Sequence, residues 1–83
     1  MSSPWSDQTI LVRTELKRLR LAAELTQTEL AQRLGKPQSY VSKAESGDRT
    51  LDLLEVREFC TACGSNFAEF TQALDCQLEK LKR

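Results

Sequence analysis

The chain has 83 residues, with 12 Lys and Arg balanced by 12 Asp and Glu, no histidine, three cysteines and only three glycines and two prolines. A chain of this length builds one small core, so a single domain over residues 1–83 is expected, with no room for a separate ligand-binding domain. No apolar run approaches membrane-spanning length, and Met1 to Ser6 lacks a charged start followed by an apolar stretch, so a cytoplasmic protein with no membrane association is expected. No segment alternates apolar and polar residues as a half-buried strand would, which leaves an all-α bundle as the fold class.

Residues 8–23 read as a first helix, because Val12, Leu16, Leu19 and Ala23 recur at i, i+4, i+7 and i+11. Its other face carries Arg13, Lys17 and Arg20. Thr26 followed by Glu29 is a capping box, so a second helix starts at about residue 27; Leu30, Ala31 and Leu34 form its apolar stripe and Gly35 ends it. Pro37 blocks continuation and suits entry to a third helix over about 38–46, closed by Gly47. Two short helices joined by a tight turn, with small residues where they cross, form a helix-turn-helix over about 27–46.

With Val41, Ala44 and Glu45 turned inward, the third helix presents Gln38, Ser39, Ser42, Lys43 and part of Tyr40. Gln bonds adenine through two contacts, Lys reaches guanine O6 and N7, Ser bonds bases or phosphates, and a Tyr ring touches a thymine methyl. A polar face alone is also what any solvated helix has. The whole set at the front of the second helix of such a pair is what favours DNA readout.

After a loop at 48–50, Asp52 and Glu55 cap a fourth helix whose Leu53, Val56, Phe59, Cys60 and Cys63 are expected to face inward, and Gly64 ends it. Asn66 starts a fifth, extended helix over about 66–81, in which Phe67, Phe70, Leu74, Leu78 and Leu81 are spaced by 3, 4, 4 and 3 residues. One small bundle can bury the first two or three members of this stripe, while Leu78 and Leu81 lie beyond the usual end of a five-helix domain, where a second copy would bury them. Phe70, Leu74, Leu78 and Leu81 are therefore assigned to a homodimer interface, with Trp5 and Ile10 packing on the same region.

Cys60 and Cys63 have the spacing of a metal or redox pair, but a tetrahedral site needs four ligands and only three cysteines, including Cys76, exist. Buried, reduced thiols are the expected state, and no metal or cofactor is implied. Neutral net charge at first disfavours a nucleic-acid partner. Its distribution restores the case: residues 1–49 hold eight cations against six anions, a balance of +2, and residues 50–83 hold four against six, a balance of −2.

The residues resemble the phage-repressor and Cro-like (Xre-type) helix-turn-helix family. The resemblance spans about residues 16–70 and rests on Arg20, Leu25-Thr26-Gln27, Glu29-Leu30-Ala31, Leu34-Gly35, Gln38-Ser39, Val41-Ser42-Lys43, Glu45 and Gly47. It implies a five-helix, lambda-repressor-like DNA-binding domain. By the resemblance, Gln38, Ser39 and Lys43 face base edges, and Tyr40 shares that assignment from its place on the helix. Gln27 braces the phosphate backbone and the start of the third helix, Ser46 and Arg49 lie near phosphates, and Arg20 pairs with Glu45 as a structural ion pair. Lys17, Lys36 and Ser42 complete the expected backbone contacts. Three positions depart from the family pattern: Lys36 stands in place of an apolar turn residue, Pro37 in place of a Ser or Thr cap, and Ala44 in place of a larger aliphatic.

A dimeric transcriptional regulator, a repressor or autoregulator on an inverted-repeat operator, is the function these residues imply. An antitoxin or a restriction-modification controller, which adds a protein partner to DNA binding, is the alternative. An enzyme is not indicated, since there is no histidine, no Gly-rich phosphate loop and no nucleophile with a base.

Overall fold

A computed structural model of the protein describes residues 6–81, so the packing expected of Trp5 lies outside the described residues. These residues form five helices and no strand: α1 Asp7–Ala22, α2 Gln27–Leu34, α3 Gln38–Ser46, α4 Leu53–Ala62 and α5 Phe67–Lys80.

Most of the boundaries follow from local chemistry. Ser6, Thr26, Asp52 and Asn66 each accept a backbone N–H three residues on, which satisfies donors that a helix start leaves open. Thr26 and Glu29 close a full capping box, Glu29 N–H to Thr26 Oγ1 at 3.0 Å and Thr26 N–H to Glu29 Oε1 at 2.9 Å. Asp52 and Glu55 do the same at 2.7 and 2.9 Å. Helix α3 is the exception: Pro37 precedes it in extended conformation and offers no side-chain cap. The turn before it is set by Gly35, whose φ of 67° lets Lys36 N–H reach back to the Ala31 carbonyl at 2.9 Å. Helix α1 ends in the same way but with Glu24 at φ 60°, a left-handed residue that is not glycine and costs about 1 kcal/mol.

One core joins the helices. Leu16, Leu25, Leu30, Val41, Phe59, Cys60 and Phe70 are buried in it, with Val12, Leu19, Leu34, Leu51, Val56 and Leu74 packed around them. Two expectations are corrected here. Leu53 does not face inward: it is 69% exposed, because Leu51 and Val56 close the core at that end and the first turn of α4 extends past them. Phe70 is core, 6% exposed, and Leu74 packs on that core, so the first half of the α5 stripe is used within the chain and only Leu78, half-buried, and Leu81, 43% exposed, remain toward the end of the helix.

Ala44 lines a half-open pocket of about 270 Å³ together with Val12, Leu16, Leu51 and Val56 and with the polar Thr9, Arg13, Arg49 and Thr50.

Candidate nucleic-acid interface

Helix α3 is held from beneath by a polar network that ends at its exposed face. Arg20, in the last turn of α1, meets Glu45 of α3 at two points, Nε to Oε2 at 2.7 Å and Nη2 to Oε1 at 3.0 Å. Its third group, Nη1, donates to the Leu25 carbonyl at 2.8 Å. Both side chains are nearly removed from solvent, at 9% and 4% exposed. A buried charge pair is tolerable only when its remaining hydrogen-bonding capacity is met, and the Glu45 carboxylate gains that from Gln27, whose Nε2 donates to Oε1 at 3.1 Å. Glu45 in turn raises the Arg20 pKa further above its ordinary value, through their hydrogen bonds first.

Gln27 passes the arrangement to the surface. Its Oε1 accepts from Gln38 Nε2 at 2.7 Å, so the first residue of α2 orients the first residue of α3. Gln38 keeps one N–H and its own carbonyl oxygen for a ligand, the donor and acceptor that a bidentate contact to adenine requires. Ser39 and Lys43 are exposed and Ser42 half-buried on the same helix.

Tyr40 is not on that face. It is 9% exposed in the core, and its hydroxyl donates to Glu55 Oε2 at 3.3 Å. The Arg49 guanidinium lies 4.8 Å and the Lys36 ammonium 5.4 Å from its ring centroid, both within cation–π range. Burial, then the Glu55 charge, pushes its phenol pKa up. A base contact by Tyr40 is therefore withdrawn, and its role is to tie α3 to the capped start of α4. The sequence left this open because residue 40 sits at the boundary of the inward and outward faces.

The expected backbone-contacting residues are less uniform than their charges suggest. Arg49 is exposed but donates to Glu55 Oε2 at 3.0 Å, so Glu55 caps α4, accepts from Tyr40 and pairs with Arg49 at once. Ser46 Oγ donates to the Lys43 carbonyl at 3.3 Å. Lys36 is exposed in the turn, and Lys17 is exposed on α1, between Arg13 and Arg20 on one side of that helix. Arg13 was not among the assigned site residues, yet its Nη1 donates to the Ser46 carbonyl, placing a cation at the C-terminal end of α3 where the helix dipole favours one. Its spacing of seven from Arg20 is the signal that could have found it.

Cys60 and Cys63 lie in the core, where burial raises both thiols to about 11, while Cys76 is exposed. Among the described residues no cluster of Cys, Asp and Glu could hold a metal ion, and no helix is long and apolar enough to cross a membrane.

A helix pair joined by a tight glycine turn, whose second helix carries an outward polar and cationic face and is braced by a buried ion pair, defines a helix-turn-helix protein of the DNA-binding class. The helix-turn-helix family model HTH_3 matches residues 16–70, and the chain belongs to this Xre-type family of DNA-binding transcription regulators. Among solved structures it is similar to an XRE-family-like protein from Pseudomonas syringae pathovar tomato, with 41% identity and a TM-score of 0.75 over 84% of this chain and 83% of the other. It is also similar in fold to a point mutant of the restriction-modification controller protein C.Esp1396I, with a TM-score of 0.80 at 22% identity over 88% of this chain and 97% of the other. No curated protein matches the chain.

Proposed function

We propose that the protein is a homodimeric repressor or autoregulator that inserts α3 into the major groove of each half of an inverted-repeat operator. The observation that carries this reading is the Arg20–Glu45–Gln27–Gln38 chain of bonds, which spends buried polar groups on fixing the direction of an exposed glutamine. Fixed side chains at the front of a groove-sized helix are what direct readout needs. Gln38, Ser39 and Lys43 read base edges. Gln27, Lys36, Ser42, Ser46, Arg49 and Lys17 take the flanking phosphates.

The neutral net charge sets how this protein works. A handful of phosphate contacts per copy gives weak, salt-sensitive binding to arbitrary DNA, so useful affinity comes from two copies on one specific site. Selection of bound sequences from a random DNA pool tests the reading. It should return an inverted repeat whose half-site centres are about 10 base pairs, or a multiple, apart. A pool that stays random, or a lone half-site, would overturn it.

A further inference from the structure

We propose that the groove between α1 and α5 binds a small aliphatic ammonium compound, with its chain on the apolar floor and its charge at Glu15. Glu15 stands on α1 with only 8% of its surface exposed, yet its Oε2 accepts no hydrogen bond. Arg18 pairs with that oxygen at 3.5 Å, longer than a charge-assisted hydrogen bond, and its side chain is 65% exposed. A buried carboxylate oxygen without a donor is costly, and the fold keeps one at the wall of an opening. Glu15 lines a depression of about 240 Å³ whose floor is Leu19, Ala22, Phe70 and Ala73. A second depression of about 450 Å³ adjoins it, sharing Leu19, Ala22, Ser65 and Glu69 and running on to the turn at Gly64.

Charge and shape select the occupant. Glu15 and Glu69 against Arg18 leave one net negative charge among the side chains that line the groove, and the partial charges at the end of α1 and the start of α5 oppose one another there. A single ammonium matches that charge and brings three N–H donors, one of which meets Glu15 Oε2. A bare metal ion does not fit, since hard cations take about six or more oxygen ligands and the floor here is hydrocarbon. A protein surface does not fit either: a stable interface buries about 800 Å² per partner around large anchoring side chains, and the floor offers two alanines, a half-buried Leu19 and a buried Phe70. No lining residue belongs to α2 or α3, so the groove is separate from the face proposed to read DNA.

The test titrates the full chain with hexylammonium and with hexanol, its uncharged counterpart, at constant ionic strength, and follows the backbone amides by NMR. Hexylammonium should give saturable shifts confined to residues 15–23 and 63–73, and hexanol should bind about tenfold more weakly, the step that a hydrogen bond to a charged group supplies. Glu15→Gln keeps the side-chain shape and should weaken hexylammonium by about the same factor while leaving hexanol as it was. Ala22→Leu, at an exposed position shared by both depressions, should block both compounds, and it carries the test if circular dichroism shows Glu15→Gln to be unfolded. Hexanol binding as tightly as hexylammonium, shifts scattered over acidic residues elsewhere, or an unchanged affinity in a folded Glu15→Gln overturns the site. N-acetyl-lysine amide binding more tightly than hexylammonium would make the occupant a lysine of a partner protein and overturn the small-ligand assignment. None of these outcomes depends on DNA, so the reading of α3 stands or falls separately.

Discussion

Arg20 and Glu45 meet in a two-point ion pair, at 2.7 and 3.0 Å, that joins the end of α1 to the end of α3. Both side chains are buried, so removing one partner strands the other away from water. Arg20→Met and Glu45→Gln are each expected to lower unfolding free energy by about 3 kcal/mol, while the double variant loses less than the sum because neither charge is then left alone. Urea unfolding of the four proteins measures this. Equal, additive losses would show that the pair is not coupled.

The capping carboxylates make a pH prediction. Glu29 accepts the Thr26 N–H and Glu55 the Asp52 N–H, and these bonds hold both pKa values below the ordinary 4.5. A carboxyl whose folded value is depressed releases its proton more readily when folded, so its contribution is complete above the unfolded value and is lost as pH falls through the folded one. The melting temperature should be flat from neutrality to about pH 5 and fall below the ordinary carboxylate range. In Glu29→Gln/Glu55→Gln that fall should be shallower; an identical profile would assign the acid sensitivity elsewhere.

Tyr40 separates scaffold from readout. Tyr40→Phe removes one hydrogen bond to Glu55 and should cost about 1 kcal/mol, whereas Tyr40→Ala opens the core and should cost about 3 kcal/mol or more. Neither should change which DNA sequences are selected. A shift in base preference for Tyr40→Phe would return the phenol to the interface.

The helices and their caps were legible in the sequence because each boundary carries its own chemistry: Thr26 with Glu29, Gly35, Pro37, Asp52 with Glu55. The Arg20–Glu45 pair was legible only through the family resemblance, since nothing in local spacing joins residues 25 apart. Tyr40 and Leu53 were misread for one reason. Periodicity gives the direction in which a side chain leaves its helix, but not what waits there, and the core extends under Tyr40 while ending before Leu53. Beyond its cap, Glu55 takes two partners that no motif announces, Tyr40 and Arg49, because they arrive from α3 and from the loop.

In the proposed function α3 reads DNA through Gln38 and Lys43 on a face fixed by Gln27. The most direct measurement is the anisotropy-derived affinity of Gln38→Ala and Lys43→Ala for the selected operator and for a scrambled duplex, with folding checked by thermal melting. Each variant should bind the operator weaker by about 1–3 kcal/mol, and Gln38→Ala should bind the scrambled duplex as the parent does. Two folded variants that hold the operator as tightly as the parent would contradict the account.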